Sequence, residues 1–77
     1  MEINGELQNN VYLLRAAKKW SQQEVANRLG VSRQTIASIE ANKYNPSLIL
    51  AFKIAKLFEV EITEVFQFEE FDEEELQ

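Results

Sequence analysis

Two serines eleven positions apart, Ser21 and Ser32, are each followed at once by side chains that can hydrogen-bond at two points: Gln22 and Gln23, then Arg33 and Gln34. A serine just before an apolar-periodic run is a helix N-cap. The start of a helix presents unpaired amides and partial positive charge, which suits a phosphate. An arginine can pair bidentately with guanine and a glutamine with adenine, each pair worth about 1–3 kcal/mol of discrimination. In the segment after Ser32, the side opposite Ile36 and Ile39 carries Gln34, Ala37, Ser38 and Ala41, with Arg33 at its front edge. Those side chains are small enough for the segment to approach base edges. Phosphate grip and base reading on one short helix is chemistry suited to the major groove of a duplex.

That chemistry needs elements to hold it. The spacing predicts helices over Gln22–Leu29 and Arg33–Ala41, joined by Gly30-Val31-Ser32, which is the helix-turn-helix arrangement. Ser21-Gln22-Gln23-Glu24 reads as a capping box, with Glu24 reaching back to the cap amide. Val25, Ala26 and Leu29 form an apolar stripe that Gly30 ends in a left-handed conformation, and Asn42 suits the same role after the next helix. Asn9 or Asn10 can cap a first helix running to about Lys19, with Val11, Leu14 and Ala17 or Lys18 along one side. Asn45-Pro46-Ser47 is a turn and a further cap, opening a fourth helix to about Phe58 with Leu48, Ala51, Ile54, Ala55 and Phe58 inward. A short fifth helix is expected over Ile62 to Phe66. Phe66 to Glu69 alternates apolar and polar like a strand, and Met1 to Asn4 has a weaker version of that pattern, so pairing of the two chain ends is an open expectation.

Composition bounds the alternatives. The chain has 77 residues, a single domain's length. Without Cys or His, disulfides, zinc fingers, thiol chemistry and His-based catalysis are excluded. An enzyme is the weakest option, RNA binding lacks its usual aromatic platform, and no cofactor or metal is expected. No apolar stretch approaches a membrane span and the N-terminus has no signal-peptide form, so a cytoplasmic, nucleoid-associated protein is expected. The net charge of −5 argues at first against nucleic acid. Its distribution reverses that. All eight cations lie between Arg15 and Lys56, where the only acids are Glu24 and Glu40, whereas residues 57–77 hold nine acids and no base. A basic body carries an acidic end.

The run from Ser21 to Glu40, followed by Asn42-Lys43-Tyr44-Asn45-Pro46-Ser47-Leu48, resembles the Cro/CI-type (XRE family) helix-turn-helix regulators, over roughly residues 9–66. It is most similar to the smallest members, which consist of this domain alone. The resemblance implies an all-α, five-helix fold and homodimers that bind palindromic, inverted-repeat operators on double-stranded DNA. It assigns Arg33, Gln34 and Ser38 to base edges. Gln22 would contact phosphate and brace the reading side chains, while Ser32, Asn42, Lys43 and Tyr44 would contact the DNA backbone. It also pairs Arg15 with Glu40 as a structural ion pair. Three departures stand out: Ala41-Asn42 where Asn-Gly is common, Glu59 where a left-handed Gly or Asn usually ends the fourth helix, and Tyr12-Leu13 where a charged pair is frequent.

The expected organisation is a DNA-binding domain over residues 1–68 with its helix-turn-helix at 21–41, dimerisation elements near 57–71, and an acidic tail at 69–77. Trp20 is assigned to the core. Phe66, Phe68 and Phe71 are too many aromatics for a frayed end; they close the core, or form a dimer seam with Leu50, Leu57 and Val60, or do both. The rival reading is an antitoxin-like or other interaction module that binds a protein through its acidic, aromatic C-terminus.

Overall fold

A computed structural model describes residues 2–72. Five helices and a two-stranded sheet follow in the order β1 (Gly5–Asn9), α1 (Val11–Lys18), α2 (Gln22–Leu29), α3 (Arg33–Glu40), α4 (Leu48–Phe58), α5 (Ile62–Val65) and β2 (Phe66–Glu70). The fold is the mostly helical one expected, with the ends joined as a small sheet. The strand register corrects one expectation. β2 pairs antiparallel with residues 5–9, Gly5 opposite Glu70 and Asn9 opposite Phe66, and the segment expected to pair contributes Asn4, whose carbonyl oxygen accepts from Phe71 N (2.7 Å). Gly5 permits this register: a Cβ there would collide with the carbonyl oxygen of Glu69 and the ring of Phe68. Glu69 and Glu70, expected in the acidic tail, are strand residues; the rest of that tail from residue 73 lies outside the described residues.

Three helices begin on serine caps of one kind. The Oγ atoms of Ser21, Ser32 and Ser47 accept from the backbone N–H three residues on, at Glu24, Thr35 and Leu50, at 3.0–3.1 Å. Each such cap stabilises its helix by about 1 kcal/mol. The Ser21 box closes on one side only, because the Glu24 carboxylate takes the Arg28 guanidinium one turn along (3.0 Å). At α1 the cap belongs to Asn9, whose Oδ1 accepts from Val11 N (3.2 Å), while Asn10 donates its side chain to Glu64 O.

Four helices also end alike, on a left-handed residue: Lys19, Gly30, Asn42 and Glu59. The next N–H then reaches back into the helix, from Trp20 to Arg15 O, Val31 to Ala26 O, Lys43 to Ser38 O and Val60 to Ala55 O, at 2.9–3.1 Å. This is the Schellman closure, which satisfies carbonyls that a helix end otherwise leaves orphaned. Trp20, Val31 and Val60 then pack against the core. Glu59 therefore adopts the costly geometry itself, at φ 58°. Left-handed backbone costs an L-residue about 1–2 kcal/mol. Glu59→Gly should accordingly raise the thermal midpoint by a few degrees, after the entropy glycine adds to the unfolded chain is deducted. A lower midpoint by circular dichroism would contradict this account.

The core is Val11, Val25, Ala26, Leu29, Ile36, Ile39, Leu50, Ile54, Ala55, Phe58 and Val65. Trp20 packs on it, 5.8 Å from Phe58, with Arg28 stacked 4.1 Å over its outer face. Two expectations on α4 change places. Leu48, expected inward, is 71% exposed, and Leu50, expected at a dimer seam, is buried in the core. The Ser47 cap fixes the phase of the helix, and in that phase the first turn projects Leu48 and Ile49 outward, both exposed. Of the other seam residues, Leu57, Val60 and Phe66 are half-buried against the core and Phe68 is 54% exposed.

Candidate nucleic-acid interface

α3 stands on two side chains, Ile36 and Ile39, both buried. Its first turn is open to solvent: Ser32, Arg33 and Gln34 are exposed and Ser38 is half-buried. Gln34 Nε2 donates to Ser38 Oγ one turn further on (3.3 Å), so the two proposed base-reading groups share one face. Gln34, Ser38 and Tyr44 line a shallow cleft of about 190 Å³ with a fourth residue, Thr35. Thr35 was missed by the sequence reading. Its hydroxyl lies 2.9 Å from Ser32 Oγ, and its place three residues after a serine cap and three before Ser38 was the available signal.

Behind this face runs a chain of polar contacts into the protein. Arg33 Nη1 donates to Gln22 Oε1 (3.4 Å), and Gln22 Nε2 donates to Glu40 Oε1 (3.1 Å). Glu40 is gripped in turn by Arg15, through Nε to Oε2 (2.8 Å) and Nη2 to Oε1 (3.0 Å), while Arg15 Nη1 donates to Trp20 O (3.0 Å). The two side chains retain only 15% and 9% exposure. A fork-on-carboxylate contact of this type is directional as well as strong. The hydrogen bond to Glu40, more than the opposing desolvation, holds the Arg15 guanidinium further into its charged form than usual. Gln22 thus has both amide ends engaged by the protein. Its Oε1 lies within 3.4 Å of Arg33, and one amide hydrogen remains unbonded among the described residues.

The backbone-contact candidates gather beyond α3. Asn42 takes the left-handed position at φ 58°, which places exposed Lys43 and Tyr44 just after the helix end. At the other end, Ser21 and Ser32 open α2 and α3. No cluster of acidic side chains among the described residues could hold a metal ion, and none of the helices is long and apolar enough to cross a membrane.

Known proteins carry the same arrangement. Residues 11–65 match HTH_3, a helix-turn-helix family. An uncharacterized HTH-type transcriptional regulator of Methanocaldococcus jannaschii is 50% identical over 64 residues, covering 83% of this chain and 97% of that protein. The uncharacterized HTH-type transcriptional regulator YgzD of Bacillus subtilis is 45% identical over the same shares of each chain. Among solved structures, the restriction-modification controller protein C.AhdI of Aeromonas hydrophila superposes with a TM-score of 0.67 at 31% identity, over 71% of this chain and 83% of that one. A match covering residues 11–65, relatives aligned over almost their whole length, and a shared fold together place this chain in the HTH_3 family, among its XRE-type helix-turn-helix regulators.

Proposed function

We propose that the protein binds double-stranded DNA sequence-specifically as a homodimer and represses transcription at an inverted-repeat operator. The observation that carries this reading is the exposed start of α3, where Arg33 and Gln34 stand open to solvent directly after the Ser32 cap, with Gln22 3.4 Å from Arg33. Arg33 and Gln34 supply sequence choice, with Ser38 beside them. Ser32, Asn42, Lys43, Tyr44 and the free hydrogen of Gln22 supply register on the phosphates. Repression is the sense favoured, since occluding a promoter needs no contact beyond the DNA itself. A duplex as partner puts the protein in the cytoplasm, at the nucleoid.

The homodimer is supported by a groove between α4 and α5. Phe52, Val60 and Ile62 give it apolar walls, and Lys56 faces it together with Glu59, Glu61 and Glu64. A two-fold interface must be complementary to itself, and Lys56 of each copy can pair with a carboxylate of the other around the apolar side chains. Leu57, Phe66 and Phe68 would extend the seam; Leu50 is not part of it. In such a dimer the two α3 helices enter successive major grooves about 34 Å apart.

Selection of bound sites from random duplex DNA tests the whole reading. It should enrich an imperfect palindrome whose half-sites lie one helical turn apart. Enrichment of nothing, or of single half-sites, would overturn it. A second expectation concerns the backbone contacts: Lys43→Ala should weaken every sequence to a similar degree and reduce the salt slope by about one for each half-site. Anisotropy titrations over a range of salt concentrations read both.

A further inference from the structure

Asn9 lies at the end of β1, thirty residues before Ile39, yet it is bonded to the end of α3. Its Nδ2 donates twice, to Ile39 O and to Asn42 Oδ1, each at 2.9 Å. Its Oδ1 accepts from Val11 N (3.2 Å). These three bonds fix which way the amide points, because turning it over would set an oxygen against two acceptors. The consequence passes to Asn42. With its Oδ1 held by Asn9, the Asn42 Nδ2 group has no partner among the described residues, and Asn42 is exposed on the turn that carries Lys43 and Tyr44. The same turn is closed by Asn42 N to Ile39 O (3.0 Å) and Lys43 N to Ser38 O (2.9 Å).

We infer that Asn9 is a positioning residue for DNA binding: it caps the end of α3 from outside the helix-turn-helix and orients Asn42 so that its Nδ2 donates to a phosphate oxygen. The inference rests on the reading of Asn42 and Lys43 as backbone contacts. Only the donor end of an amide does this work. Asn9 itself touches no DNA.

The test is a double-mutant cycle on a mixed-sequence duplex long enough for two half-sites, with affinity and salt slope measured for the parent, Asn9→Ala, Asn42→Gly and the pair. Glycine is chosen at Asn42 because it keeps the left-handed backbone without strain. Each single variant should bind at least about 10-fold more weakly for each half-site, the scale of hydrogen bonds to a charged group, and the double variant no more weakly than Asn42→Gly. If the losses multiply, Asn9 acts through general stability and the inference falls. It falls equally if Asn9→Ala binds like the parent. Melting curves confirm that each variant is folded at the assay temperature, and Asn9→Asp gives a second route, since a carboxylate keeps the acceptor for Val11 N but lacks the donor. Asn9→Asp should bind no better than Asn9→Ala; affinity restored to the parent's would overturn the inference. Lys43→Ala separates the two levels. A parent whose salt slope does not depend on Lys43 refutes the backbone-contact reading, whereas a normal Lys43 effect with a silent Asn9→Ala refutes the role of Asn9 alone.

Discussion

Arg15→Met should cost about 3 kcal/mol or more and lower the thermal midpoint by roughly 12–24 °C. The expectation follows from what the substitution leaves behind. Glu40 would keep its burial but lose both guanidinium contacts, with only Gln22 still donating to it. Trp20 O would lose its partner as well. Removing one member of a largely buried pair is costlier than removing both, because the charge left behind keeps most of its desolvation penalty. The double variant Arg15→Met, Glu40→Leu should therefore recover most of the lost stability. A single variant that melts within about 3 °C of the parent would show that the pair is solvated in solution. Even where the double variant folds well, DNA affinity should remain reduced. Gln22 would have lost the carboxylate that orients it, and Arg33 would have lost a fixed Gln22.

Arg33→Ala should act in the opposite way, sparing the fold and damaging recognition. Arg33 is exposed and its hydrogen bond to Gln22, at 3.4 Å, is weak, so stability should shift by no more than about 0.5 kcal/mol. Loss of a bidentate base contact costs about 1–3 kcal/mol in each half-site. In a two-fold complex the loss occurs twice, which amounts to roughly 30-fold to 20,000-fold in affinity for the selected site. Repeating the site selection with the variant should show one position per half-site losing its preference while the others persist. If every position kept its preference, base reading would have to be assigned to residues other than Arg33.

The helix boundaries were legible where a local side chain makes them. Serine caps at Ser21, Ser32 and Ser47 and the left-handed stops at Gly30 and Asn42 act within a few residues of themselves, so their spacing announces them. Lys19 gave no such signal. Its left-handed conformation is imposed from downstream, by the Trp20 N–H bonding back to Arg15 O while the indole packs against the core. The phase of α4 was hidden for another reason: Leu48 to Phe52 is apolar at every position, and a run without polar gaps has no period to read. Within the site, the residues that touch solvent were readable by type, and Arg15–Glu40 came from the family pattern. Asn9 was seen only as a local cap. Its bonds to Ile39 and Asn42 span thirty residues or more, and nothing in the order of the chain marks such a pair.

The narrow footing of α3 has a wider consequence. Only Ile36 and Ile39 anchor it to the core, and Glu40 ties its far end to Arg15. The outward positions around Arg33, Gln34 and Ser38 contribute little to holding the molecule together. Those positions can be exchanged while the anchors stay constant, much as a key blank accepts a new cut. A duplicated copy of such a protein can therefore acquire a new target site through a few surface substitutions, without first finding a compensating change in its interior. Divergence of targets on one unchanging frame becomes a short walk through sequence space.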